Sequence, residues 1–178
     1  MKKKNAFKLG LLIPVCFLLF SCGATVSTDY EKQTDWSPYT HYQFYADIES
    51  GLSELDDKRI KNAIDSVFAF RSYRPSTNPD FLINFYASQV LSNSRNTIGV
   101  GLGGGGGNVG VGGSVGIPIG GPTIEQQITI DFIDARKDQL IWQAIIDCRL
   151  KEKASPEQKD AHYFNVITKA LKKFPPTK

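Results

Sequence analysis

Cys22 carries the most specific chemistry in this 178-residue chain. It follows Leu19-Phe20-Ser21 and precedes Gly23, directly after an apolar run from Leu9 to Phe20 and a basic start of Lys2, Lys3, Lys4 and Lys8. A small residue before a cysteine offers a cleavable bond, and the thiol can then carry a diacylglycerol as a thioether. The apolar run is too short to cross a bilayer, which takes about 20 residues. It has the length and flanks of a secretory leader. The pattern resembles the bacterial lipobox, with Phe20 bulkier than the usual residue at its position. On this reading residues 1–21 are a lipoprotein signal peptide and Cys22 is the lipidation site through which the chain meets the lipid bilayer. Glycine rather than aspartate after the cysteine favours the outer membrane, facing the periplasm.

The other chemistry-bearing residues form no such pattern. Asp131, Asp134 and Asp147 could meet across a hairpin as paired carboxylates, but Asp134 and Asp138 suit its turn, and Asp131 and Asp147 its wet face. His41 and His162 are far apart and fall in different elements, whereas a metal site needs clustered ligands. They read as a strand-face and a helix-face residue, and no metal or cofactor is expected. No activating partner for a serine nucleophile stands out in the sequence. A periplasmic hydrolase remains the alternative reading; it requires Asp131, Asp147 or His41 to line a pocket in a perturbed environment. Trp36, Tyr39, Tyr42, Phe44 and Tyr45 could stack on sugars, although strands select aromatics for packing anyway.

Thirteen of the sixteen glycines lie between Gly99 and Gly121, and no charged residue occurs between Arg95 and Glu125. Gly99-x-Gly101-x-x-Gly104 formally matches a dinucleotide fingerprint. That fold needs a helix directly after the loop and an acid about 20 residues on; here a strand pattern follows. There is no Gly-Lys-Ser/Thr for a phosphate loop. The segment reads as a long insert between two strands, able to touch lipid or a neighbour.

Charge excludes one class of partner. The chain has 21 basic and 18 acidic residues, and four of the lysines lie before Cys22, leaving 17 basic against 18 acidic residues. Nucleic-acid binding rests on clustered Lys and Arg, so none is expected. Of three cysteines, Cys16 and Cys22 belong to the leader and anchor. Cys148 falls on the apolar side of a strand pattern and reads as a small core residue.

The elements that must position these residues are legible from periodicity. Ala24 to Tyr30 alternates as a strand starting two residues after Cys22, a link of about 7–10 Å that keeps the domain against the membrane. His41 to Ala46 is a second, aromatic strand. Ser53-Glu54-Leu55-Asp56 opens a helix over about Leu55 to Phe70, with Ile60, Ala63, Ile64, Val67 and Phe68 as its buried stripe. Phe81, Ile83, Phe85 and Ala87 give a third strand. Ile128, Ile130 and Phe132 mark a fourth, over Gln126 to Asp134. After the turn Ala135-Arg136-Lys137-Asp138, the residues Leu140, Trp142, Ala144, Ile146, Cys148 and Leu150 share one face of a fifth. Ser155-Pro156-Glu157-Gln158 starts a final helix with Phe164, Ile167, Ala170, Leu171 and Phe174 inward. The expectation is a single α+β domain over residues 22–178. A mostly antiparallel sheet of about five strands carries both helices on one face, in the order β-β-α-β-β-β-α. The glycine-rich insert at 99–121 separates the third and fourth strands.

With these pieces in place, the chain resembles the bacterial lipoprotein family known as domain of unknown function 4136. The matching stretches are VSTDY (Val26 to Tyr30), Trp36-Ser37-Pro38-Tyr39, KRIKNAID (Lys58 to Asp65), PDFLINFYAS (Pro79 to Ser88), ITIDFIDARKDQLIWQA (Ile128 to Ala144) and KALKKFPP (Lys169 to Pro176). The resemblance implies an envelope lipoprotein with one α+β domain and brings no catalytic residues to carry over. The expected role is a non-catalytic binding or structural module, with an envelope protein or a glycan as possible partner.

Overall fold

A computed structural model describes residues 23–92, 96–99, 116–119 and 121–176. The leader, Cys22 and residues 100–115 of the glycine-rich insert lie outside the described residues. Among the described residues ten elements follow in order: β1 (Thr25–Tyr30), β2 (His41–Phe44), α1 (Glu54–Phe70), β3 (Arg74–Pro75), β4 (Phe81–Ser92), β5 (Asn96–Gly99), β6 (Gly116–Ile119), β7 (Thr123–Asp134), β8 (Gln139–Lys151) and α2 (Pro156–Leu171). The fold is α+β, as the periodicity implied, but the main sheet has six strands in the order β1-β8-β7-β4-β2-β3.

That sheet is mixed. β1 with β8, β8 with β7 and β7 with β4 pair antiparallel. β2 instead runs parallel to both β4 and β3. A parallel pair needs a long crossover, and α1 lies in the chain between β2 and β4. The sixth strand, β3, is two residues long and contains Pro75, which blunts that edge of the sheet. At the other edge, Lys169 Nζ donates to the carbonyl of Ala24, just before β1, and Lys173 Nζ to that of Val26 at 2.8 Å, which covers the start of that edge.

Both helices cover one sheet face. The α1 stripe is the expected one, with Asp56 also buried. Asp56 keeps its charge company with Arg59 at 2.9 Å and Lys159 at 3.3 Å, while Arg59 reaches Asp160 at 2.6 Å, tying the starts of the two helices together. Ser53 caps α1, and Ser155 with Gln158 forms a full capping box on α2. The α2 stripe departs from the expectation at Phe164. Tyr163, Val166, Ile167, Ala170 and Leu171 face inward, while Phe164 is exposed. The helix ends at Leu171, so Phe174 reaches the core from the segment beyond it. There it meets Trp36, Phe68, Tyr73, Phe81, Phe132 and Trp142 at centroid distances of 4.8–6.1 Å. Arg71 Nη1 fixes this segment by donating to the carbonyls of Leu171 and Phe174 at 2.6 and 2.8 Å.

The last hairpin corrects a second expectation. The register slips between Phe132 and Ile133, so Phe132 faces Trp142 and Ile133 faces Leu140, with Ile141 left over. One extra residue reverses the alternation. Ile141 is therefore buried beside Trp142, and Leu140 points to solvent. At the other end of the hairpin, the β4–β7 ladder is followed by a separate two-stranded ribbon in which β5 pairs antiparallel with β6. The flanks of the insert are thus paired backbone.

Candidate functional site

A cleft of about 930 Å³ opens where the loop after β1 faces the β7–β8 turn. Its walls include Glu31, Asp35, Pro38, Tyr39, Asp80, Asp134, Arg136, Lys137 and Leu140. Three distant segments build it: the loop around Tyr39, the entry to β4 and the hairpin turn. Tyr39 packs on Trp36 and on Phe81, with centroids 5.8 and 6.3 Å apart, which aims its hydroxyl at the turn. Tyr39 Oη donates to Asp134 Oδ2 at 2.5 Å. The other oxygen of Asp134 accepts the backbone N–H groups of Arg136 and Lys137 at 2.8 and 2.9 Å. Asp138 closes the turn in the left-handed region at φ 51°.

Asp80 is the second junction. It accepts the N–H groups of Thr40 and His41 at 3.1 and 2.9 Å, the His41 ring at 3.3 Å and the Arg136 guanidinium at 3.5 Å. Its own N–H donates to the His41 carbonyl, and its carbonyl accepts from Ala135. One residue therefore joins β2, β4 and the turn.

These partners set the charges of the cleft. Burial opposes ionisation of Asp134, but the bonds from Tyr39 and from the Arg136 and Lys137 amides outweigh it and hold the pKa below the usual carboxylate value. Asp80 behaves alike: burial works against its charge, while the Thr40 and His41 amides and the His41 ring bring the pKa down. Burial and then the bond to Asp134 push the Tyr39 hydroxyl up to about 12. At neutral pH the floor of the cleft therefore holds two fixed carboxylates and a neutral phenol. The exposed Arg136 and Lys137 stand at its rim. This arrangement offers hydrogen-bonding and ionic groups to a polar ligand.

The residues singled out from sequence go elsewhere. His41 leans on Asp80 and is absent from the cleft wall. Asp131 lies on the sheet face away from the helices, where Gln143 donates to it at 2.8 Å. Burial raises its pKa, with the Gln143 bond opposing. Asp147 is exposed and accepts from Gln127 at 2.9 Å. Asp131 and Gln127 are four residues apart on β7, so Asp131 and Asp147 stand two pleats apart, about 13 Å along the strands. Asp134 turns to Tyr39 rather than to either, so the three carboxylates do not meet.

His162 is on α2, with Nε2 at 3.3 Å from Gln126 Oε1, and burial lowers its pKa. Gln126 Nε2 donates to Tyr163 Oη at 3.1 Å, and Cys148 is buried beside them, as its strand pattern implied. Among the described residues no group of three His, Cys, Asp or Glu side chains could hold a metal. Trp36 and Tyr42 face the aromatic core, and Tyr42 donates to Asp65 at 2.6 Å. Sequence reasoning missed Asp80 and the rim pair Arg136 and Lys137. The only local signal was Pro79-Asp80 before a strand and two cations inside a turn.

A second cavity of about 440 Å³ lies at the other end of the sheet. Gly23, Val90, Glu125, Asp147 and Arg149 are among its walls. β1 runs between the two cavities. From Gly23 to Glu31 the extended chain covers about 25 Å.

Residues 26–176 match the family described as Domain of unknown function (DUF4136). No curated protein matches the sequence. Among solved structures, a PDZ domain protein from Parabacteroides distasonis is similar, with TM-score 0.50 and 15% identity over 87% of this chain. The chain spans only 37% of that structure, and the likeness concerns the fold. The PelC dodecamer from Paraburkholderia phytofirmans aligns at TM-score 0.45 and 11% identity, over 83% of this chain and 96% of that one.

Proposed function

The chain belongs to the DUF4136 family, and from that premise we propose that it is an outer-membrane lipoprotein, anchored through acylated Cys22 and facing the periplasm, that works as a non-catalytic binding module. The observation that carries the proposal is polarity along β1. Gly23, the neighbour of Cys22, lies at one end of the sheet and the 930 Å³ cleft at the other. An anchor at Gly23 leaves the cleft directed away from the bilayer, accessible to an envelope protein or glycan. Stable anchoring takes more than one acyl chain, each buried CH₂ adding about 0.8 kcal/mol, which a triacylated cysteine supplies. Asp80 and Asp134 on the cleft floor support binding over catalysis, because both are held ionised by structural bonds and neither is poised to exchange a proton near pH 7. The hydrolase alternative gains no support from His41, Asp131 and Asp147: Asp147 lines the smaller cavity, but His41 and Asp131 line neither cavity and the three stand apart.

Two measurements test the reading. Radiolabelled palmitate should enter the wild type and not Cys22→Ala; equal labelling defeats the anchor. Crosslinking in intact cells should then recover a partner with the wild type and less of it with Arg136→Glu/Lys137→Glu. Recovery of only the monomer, or of equal amounts from both, defeats the cleft as the binding site.

A further inference from the structure

We propose that the end of the β4–β7 hairpin seats in the phospholipid surface beside the anchor, so that the domain touches the membrane with its own side chains as well as its acyl group. The proposal rests on the anchoring reading above. Val90 and Leu91 are 66% and 52% exposed. As consecutive strand residues they project from opposite faces of the hairpin, and Ile124 pairs across from Leu91. A protein docking on the sheet would cover one face. A lipid surface entered end-on surrounds both.

Position argues for the same occupant. Val90, Glu125 and Arg149 line one cavity with Gly23, so the attachment point adjoins the hairpin end. Glu125 and Arg149 neutralise each other at 3.1 Å. Exposed Lys151, opposite Thr123, can bury its stem while its ammonium stays among the headgroups. Ser92, Pro122, Thr123 and Ile124 at the strand ends carry no charge, so no ionised side chain among them opposes contact with lipid. The β5–β6 ribbon continues the chain from this end of the hairpin.

The test uses the full chain, purified from membranes and placed in phosphatidylethanolamine–phosphatidylglycerol vesicles with or without brominated acyl chains. Leu91→Trp, and separately Val90→Trp, should lose a large share of the added indole emission in brominated vesicles. Wild-type protein gives the baseline, since Trp36 and Trp142 sit in the aromatic core near the cleft end. Tyr86→Trp, midway along the outer sheet face, should keep its emission. Co-flotation with quenching at positions 90 and 91 supports the contact. Co-flotation without it, or quenching at position 86 instead, overturns the contact and leaves the anchor standing. Failure to float overturns both.

Discussion

Phe132 and Trp142 stack with their ring centroids 4.6 Å apart and their planes at 27°, and they are the last regular pair before Ile141 is squeezed into β8. The stack holds the bulge at one position, because shifting it by a residue would turn Trp142 out of the core. The bulge in turn puts Leu140 on the cleft wall. Ile141→Ala should cost about 2–4 kcal/mol, the range for emptying a buried aliphatic site. Leu140→Ser should stay within about 0.5 kcal/mol. Urea unfolding of the two variants decides it, and the reverse ranking would mean that the register is regular.

Phe174 lies outside any helix yet touches six aromatic residues of the core. Phe174→Ala should cost about 3–5 kcal/mol, and Phe164→Ser, three turns earlier and exposed, close to nothing. Thermal melts of both report whether the closing segment is a plug or a tail.

Tyr39→Phe removes one charge-assisted bond to Asp134 and should destabilise by about 1.5 kcal/mol at pH 7. The pH dependence has a definite sign. Asp134 and Asp80 have folded pKa values below the unfolded value of about 4. Their stabilisation is therefore complete above that value and is lost as pH falls through the lowered folded values. Denaturant midpoints followed into acid should show a shallower loss for Asp134→Asn than for wild type, from a lower starting stability.

His162 gives a slope in a different window. Its folded pKa lies below the unfolded value of about 6.5, so the unfolded chain binds more protons there and stability rises with pH up to that value. The groups facing the ring are Gln126 and Tyr163, with Asp56 acting through space. His162→Gln should flatten this part of the profile, as read from midpoints on either side of it. An unchanged slope would mean that the ring is solvated.

Deleting Gly99–Gly121 and closing the gap with a short turn should leave cooperative unfolding and the melting temperature nearly unchanged. The β5–β6 ribbon is its own sheet and shares no ladder with the six-stranded one. Broad, non-cooperative melting would show that the ribbon belongs to the core.

Some of this architecture is written in adjacent residues. Ser53 and Ser155 announce both helix starts because a cap bonds an amide three positions on. The inward sides of β4, β7 and most of β8 follow from alternation, and α1 from its 3.6-residue stripe. These are properties of a chain interacting with itself over one or two turns. The lipobox-like pattern read at Cys22 and the uncharged run from Asn96 to Ile124 are equally local.

The rest needed the third dimension. That β2 runs parallel to β4 depends on which edge α1 returns to, which no local pattern encodes. The bulge at Ile141 depends on fitting Phe132 against Trp142, and Leu140 reads as buried until that fit is made. At the start of α2 Tyr163 finds Gln126 across the layer and takes the inward place, leaving Phe164 outside. The cleft is the clearest case: Tyr39, Asp80 and Asp134 are separated by 41 and 54 positions, and each is unremarkable in its own segment. The sequence by itself determined where the helices begin and most of the apolar faces. Only the tertiary structure decided which carboxylates are held charged and where they converge, because hydrogen bonds between distant segments form only once the sheet order has brought those segments together.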